Sequence, residues 1–171
     1  MPVKRVLVSV AVATAVALVG YWLLLALRSD EDRVRALVEG VAEAFNEGSA
    51  GGVVAPLAED FAEDESKLDR RQVQLLLARF FLQERDSKSR ALLYELEVRP
   101  EDVTIELDGV DGASPESGKL NVTARFLRRG APGNDSGSTA VVEFAAELKK
   151  IDRVWRISRA GHRVVEGKIR F

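Results

Sequence analysis

A single histidine limits side-chain catalysis in this chain. His162 is the only histidine, and the chain has no cysteine. A thiol nucleophile, a zinc ribbon, an iron–sulfur site and a disulfide framework are therefore excluded. The neighbouring cations Arg159 and Arg163 disfavour protonation of His162, which suits a neutral general base, although neither Asp nor Ser lies beside it in sequence. A structural or surface histidine is the alternative.

Three further side chains have the chemistry to bind a ligand. Tyr94 could donate a hydrogen bond into a pocket, or simply span core and water. Trp155 could offer a stacking surface or fill the core. Arg159 shares strand parity with Trp155 and could meet an anion, unless a bulge turns it outward. We therefore predict ligand-binding residues Tyr94, Trp155, Arg159 and His162, with no catalytic set, no metal site and no cofactor.

Residues 6–27 form a run of 22 residues without a charge. As a helix, this run reaches about 33 Å, which matches the hydrocarbon core of a bilayer. Small-residue triplets of the kind a signal peptidase cleaves lie within the run and not after it, which predicts an uncleaved anchor. We expect residues 1–5 in the cytoplasm of a bacterium, residues 28–30 as a linker, and a domain over 31–171 in the periplasm or outside the cell.

The charge balance beyond the anchor is acidic. Residues 29–171 carry 22 basic and 27 acidic side chains, a net charge of −5, which argues against nucleic acid as a partner. The acids concentrate at residues 59–65, and the bases dominate from Lys149 onward. This segregation predicts either two solvated faces of opposite sign or a docking surface for a charged partner.

Apolar residues at helical spacing predict a first helix over residues 31–47, with acidic residues at its start. Glycines at 48–52 end it, and residues 53–58 predict a short second helix that ends near the acidic stretch. Asp69 and Gln72 have the spacing of a capping box, which predicts a third helix over 70–84. The apolar stripe of this helix is Val73, Leu76, Leu77, Phe80 and Phe81.

From residue 90 the apolar period changes to two, which is typical of β-strands. Four such stretches are separated by polar, glycine-rich loops at 109–118 and 130–138 and by a tight turn at 150–153. Pro100 predicts a bend or bulge within the first of them. Three helices followed by four antiparallel strands, each apolar on one face, predict an α+β fold whose helices cover one side of a curved sheet.

Four segments carry a resemblance to a known family. They are Phe45-Asn46-Glu47-Gly48, Leu57-Ala58-Glu59-Asp60-Phe61, the helix from Asp69, and the closing hairpin with Ile151-Asp152-Arg153-Val154-Trp155-Arg156-Ile157. Over residues 31–162 the chain resembles the NTF2-like superfamily, also called SnoaL-like or ketosteroid-isomerase-like, and the resemblance implies a cone fold. The family includes isomerases, dehydratases, cyclases and domains that only bind or assemble, and its enzymes place Asp, His or Tyr inside the cone.

Two functions compete on this basis. The first is a membrane-anchored, non-enzymatic binding or assembly module, whose partner is a protein, a small apolar or anionic ligand, or a second copy of the chain. The second is a small-molecule isomerase or dehydratase, in which Tyr94, Arg159 and His162 converge at the mouth of the cone. Convergence on a cavity of a few hundred Å³ favours the enzyme, and a cone filled with aliphatic side chains favours the module.

Overall fold

The computed structural model describes residues 29–87, 89–109, 114–129 and 138–167. The predicted anchor at residues 6–27 lies outside these ranges, and no helix within them is long and apolar enough to cross a bilayer. The chain divides into two compact units, Met1–Arg33 and Val34–Phe171. The sheet, two complete helices and most of a third belong to the second unit.

Three helices precede most of the sheet: α1 (Asp30–Asn46), α2 (Ala50–Val54) and α3 (Arg70–Gln83). The Ser49 hydroxyl accepts a hydrogen bond from the Gly52 N–H and so begins α2. Asp69 and Gln72 form the predicted capping box at the start of α3. Both long helices match their predicted spans to within one residue at each end.

The predicted second helix is wrong over its last residues. Residues 57–63 form a strand, β1 (Leu57–Glu63), which pairs in parallel with the last strand of the sheet. Pro56 has no N–H with which to continue the helix. Its carbonyl instead accepts a hydrogen bond from the Ile157 N–H, and this contact aligns the residues that follow along the final strand. The pairing partner is a hundred residues away, so local pattern gives no sign of it.

The remaining strands are β2 (Tyr94–Asp108), β3 (Ser117–Arg128), β4 (Ser138–Ile151) and β5 (Val154–Gly167), and the sheet has the order β1-β5-β4-β3-β2. The domain is therefore α+β, with a curved five-stranded sheet. The register of β2 shifts between Val98 and Val103, which confirms the predicted bulge around Pro100. Asp152 and Arg153 both have positive φ, as a two-residue hairpin turn between β4 and β5 requires.

The final strand is longer than its apolar pattern predicts. His162 lies beyond the last alternating residues of this strand in the sequence, yet it is within β5, opposite Phe144. Residues 158–163 do not alternate between apolar and polar, so their sequence gives no strand signal. Their backbone pairs with β4 on one side and, in part, with β1 on the other, and this pairing extends the strand.

One face of the sheet is apolar and is covered by the helices. Around Trp155, which is 3% exposed, Val34 and Val38 of α1 pack against Leu120 and Leu148 of the sheet. A second cluster, centred on aromatic rings, contains Phe45, Phe80, Phe81, Leu92, Phe126 and Val142. A third joins α2 and β1 through Val54, Leu57 and Phe61. Trp155 is therefore a core residue, the structural alternative considered for it.

The apolar stripe predicted for α3 needs one correction. Val73, Leu77, Phe80 and Phe81 do pack into the second and third clusters. Leu76 does not, because it lies at the edge of the stripe, about 85° around the helix from the centre of the buried side, and its side chain is exposed. The sequence pattern does not separate the two sides, because α3 has leucines on both.

Candidate functional site

The four residues predicted to bind a ligand do not form one site. Tyr94 lies on the edge strand β2, which β3 and β4 separate from β5 by roughly 14 Å at ordinary strand spacing. Its ring packs against Phe80, with 5.8 Å between centroids, as part of the second cluster. Trp155 and His162 share β5 but are seven residues apart, about 23 Å along a strand. Only the Tyr94 and Trp155 positions belong to the packed interior.

Arg159 has the same strand parity as Trp155 and would face the interior in a regular strand. It faces away from the interior, because a bulge lies between the two residues. The β4–β5 register shifts so that Leu148 pairs with Ile157 and Glu147 pairs with Arg159, which leaves Ser158 as an extra residue. Such a bulge reverses the alternation of faces beyond it. Arg159 consequently lies on the outer face of the sheet, 3.4 Å from an Asp64 oxygen and 3.8 Å from a Glu147 oxygen.

The same bulge turns His162 to the inner face. Its cross-strand partner is Phe144, and the two rings lie 6.3 Å apart. Nδ1 of His162 is 3.6 Å from Oε1 of Glu63, a residue that is 9% exposed. The Glu63 carboxylate and the His162 imidazole therefore form a close acid–histidine pair, which lies at the end of the inner face.

Sequence reasoning missed Glu63, because it treated residues 59–65 as a solvated acidic run. A strand over 57–63 would have given the signal, since Phe61 and Glu63 then share one face. Oε2 of Glu63 accepts a hydrogen bond from the Ser66 N–H at 2.5 Å. Oε1 is buried and accepts no hydrogen bond from any residue that the structure describes.

Opposing influences act on the pKa of Glu63. Burial is the largest single one and raises the pKa, because it penalises the charged carboxylate. The backbone N–H groups of Ser66 and Glu65, together with the charge of His162, act in the opposite direction and outweigh it. The pKa of Glu63 therefore lies below its ordinary value, and the side chain is an anion in neutral solution.

A carboxylate beside an imidazole can act as an acid–base pair, but the contact between Glu63 and His162 is loose. The 3.6 Å separation exceeds a hydrogen bond, and the His162 side chain is 41% exposed. No group of three or more metal-ligating side chains occurs among the described residues. The pair can hold or exchange a proton at the edge of the inner face.

A groove lies elsewhere in the described structure, between α1 and the edge strand β2. It is open, has a volume of about 320 Å³, and is lined by Arg35, Val38, Glu39, Ala42, residues 95–100 and Val103. Arg35 donates a hydrogen bond to the Pro100 carbonyl across it. Beyond Ala42, the Asn46 amide bonds both the N–H and the C=O of Leu96, as a neighbouring strand would. None of the four predicted residues lines this groove.

Ion pairs join oppositely charged side chains on the outer face of the sheet. Lys149 binds Asp60 at 2.5 Å, Arg163 binds Glu143 at 2.6 Å, and Arg125 pairs with Asp102. The hydrogen bond from Lys149 lowers the pKa of Asp60, and that to Asp102 raises the pKa of Arg125. The acidic run and the basic end of the chain thus meet each other, on β1 and on β4 and β5, which reduces the charge available to an external partner.

Comparison with known proteins shows the fold. No family model and no curated protein matches the chain. An NTF2-like protein with a cystatin-like fold from Novosphingobium aromaticivorans aligns with a TM-score of 0.59 at 16% identity, over 88% of this chain and 90% of that one. A candidate scytalone dehydratase from the same organism aligns with a TM-score of 0.58 at 12% identity, over 80% and 85%.

A third solved structure also shares the fold. It is a candidate calcium/calmodulin-dependent protein kinase II association domain from Xanthomonas campestris, with a TM-score of 0.55 and 15% identity, covering 81% of this chain and 89% of that one. Identities this low establish fold and not activity. The described domain therefore has the NTF2-like, cystatin-like fold.

The charge of Glu63 gives a testable pH dependence. Because its folded pKa lies below the ordinary 4.5, ionised Glu63 stabilises the fold above about pH 4.5, and this contribution is lost as the pH falls through the folded pKa. We expect the free energy of unfolding, measured by urea denaturation, to fall less steeply in Glu63→Gln than in the wild type between roughly pH 5 and 3. Glu65→Gln, at an exposed neighbour, should keep the wild-type slope. Equal slopes for Glu63→Gln and the wild type would contradict this assignment.

Proposed function

We propose that this chain is a membrane-anchored, non-enzymatic binding or assembly module whose domain faces the outer side of a bacterial cytoplasmic membrane. The observation that carries the proposal is the packing of the inner face of the sheet. In NTF2-like enzymes, as the resemblance implies, this face surrounds the reacting molecule. Here most of the described part of that face is covered by side chains from all three helices.

The aromatic cluster supports this view most strongly. Phe45 lies 5.2 Å from Phe81, 5.6 Å from Phe126 and 6.0 Å from Phe80, measured between ring centroids. Edge-to-face contacts at these distances are those of a packed core. Small-molecule sites are clefts or cavities of some 300–1,000 Å³ that bury most of the ligand's surface and carry a few convergent polar groups. The described groove between α1 and β2 has the volume but is open, and Glu63 and His162 do not line it.

The anchor and the orientation rest on sequence. The uncharged run at residues 6–27 is long enough to span a bilayer, and we propose that Lys4 and Arg5, which precede it, lie in the cytoplasm. A domain held beside a membrane by one helix can act through its surfaces, with no chemistry of its own. A protein, a small apolar or anionic ligand, and a second copy of the chain are the partners we propose.

A small-molecule enzyme of the isomerase or dehydratase type is the second candidate. The buried Glu63 beside His162 favours it, since an ionised carboxylate can hold an imidazole as a general base. A structural neighbour described as a candidate scytalone dehydratase shares the fold. The placement of Arg159 on the outer face weighs against the convergence that this candidate requires.

The two candidates differ in what they require of His162. In a strain that lacks this chain and shows a growth or envelope defect, we expect His162→Gln to restore function as well as the wild type, because a binding module needs no imidazole. Immunoblotting and thermal melting would verify equal amounts of folded protein. Loss of function in a folded His162→Gln protein would contradict the non-enzymatic proposal and would make His162 the first candidate for a general base.

The absence of native cysteine makes the topology directly measurable. Lys119 is exposed on β3, and Lys4 lies in the predicted cytoplasmic tail. We expect a membrane-impermeant maleimide to label Lys119→Cys in intact cells and to label Lys4→Cys only after lysis. Labelling of Lys4→Cys in intact cells, with Lys119→Cys protected until lysis, would reverse the orientation. Recovery of the full chain in the soluble fraction would refute the anchor.

A further inference from the structure

Helix α3 has a second apolar side that the fold does not bury. Leu75, Leu76 and Leu82 are 62%, 53% and 80% exposed, while Val73, Leu77, Phe80 and Phe81 fill the core on the opposite side. A helix at the surface of a domain ordinarily turns polar residues to solvent. Three large exposed side chains on one helix form an apolar patch of the kind that marks interaction sites.

Cations flank these leucines. At 100° per residue, Arg71, Leu75, Arg79 and Leu82 share one side of α3, with Leu76 beside them, and we call this set the α3 face. The helix has three arginines and no acidic residue. In the described structure, neither Arg71 nor Arg79 is in an ion pair, whereas Arg125, Arg159 and Arg163 on the outer face of the sheet all are.

The exposed leucines and the positive charge of the α3 face together indicate which kind of partner binds there. A second copy docked through the same face would bring two sets of unneutralised arginines together, which electrostatic repulsion opposes. A surface with anionic groups at its edge and hydrocarbon beneath matches both features. Arginine binds phosphate through paired N–H donors, and leucines enter the boundary between headgroups and acyl chains.

We propose that the α3 face is a docking site for an anionic lipid surface. Residues 29–171 carry a net charge of −5, so attraction to such a surface cannot come from this part of the protein as a whole and must be local to this face. The inference concerns α3 alone and goes beyond the proposed function. An N-terminal anchor would raise the effective concentration of the face at the bilayer, but the proposal does not require it.

The test places an environment-sensitive fluorophore on the full chain. Leu82→Cys is labelled with a nitrobenzoxadiazole dye, and the protein is mixed with or reconstituted into vesicles of phosphatidylcholine alone or with about 30% phosphatidylglycerol. We expect a blue shift and at least a twofold rise in emission that require the anionic lipid. The same dye at Lys119→Cys, on the exposed outer face of the sheet, should not respond.

Charge-matched variants test the recognition itself. Arg71→Gln with Arg79→Gln should abolish the response of the Leu82→Cys dye. Arg128→Gln with Arg153→Gln removes the same charge from exposed positions elsewhere and should leave it intact. An equal response in both double variants would overturn the role of the α3 face.

Two other outcomes would also overturn the proposal. In one, the dye emission stays that of a water-exposed dye although the chain sediments with anionic vesicles. In the other, the emission shifts without lipid as the protein concentration rises, which would identify a second copy as the partner of the α3 face. A protein partner would be indicated if purified membrane proteins, but no lipid mixture, produced the shift. Resistance of the vesicle-bound chain to alkaline carbonate reports on the N-terminal anchor separately, so failure of the anchor and failure of the α3 face are distinguishable.

Discussion

The curved sheet has one apolar face, and the rest of the domain follows from the need to cover it. Strands β3 and β4 present an unbroken row of inward apolar residues that no single helix could shield. Helix α1 covers one part around Trp155, and Phe45 at its other end joins the rings of α3 and β3. Helix α2 and strand β1 cover the remaining part.

Close packing of this face moves the polar chemistry to its margins. Glu63 and His162 meet at the end of the inner face, Arg159 is turned outward by the bulge at Ser158, and Tyr94 packs against Phe80. The outer face holds cross-strand ion pairs, which at exposed positions contribute little to stability but leave few free charges. Helix α3 is the exception, because Arg71, Arg79, Leu75, Leu76 and Leu82 are all left to solvent.

Local physical signals predicted much of this architecture. The capping box at Asp69, the period-two pattern after residue 90 and the turn at Asp152 each depend on neighbours within a few residues, so the sequence contains all the information. Strand β1 and the end of β5 depend on each other, a hundred residues apart, and neither has a strand pattern alone. Glu63 was missed for that reason, and one extra residue, Ser158, reversed the predicted face of Arg159. Leu76 was misassigned because leucine occurs on both sides of α3.

The central claim is that the inner face is full, and a small-to-large substitution tests it most directly. Ala124 is 2% exposed on the inner face of β3, whereas Ala145 is exposed on the outer face of β4. In a filled interior, Ala124→Leu should lower the free energy of unfolding by about 1–3 kcal/mol in urea denaturation of the purified chain. Ala145→Leu, with the same added volume, should change it by no more than about 0.5 kcal/mol. An Ala124→Leu protein as stable as the wild type, or more stable, would show unfilled space beneath the sheet and contradict the account.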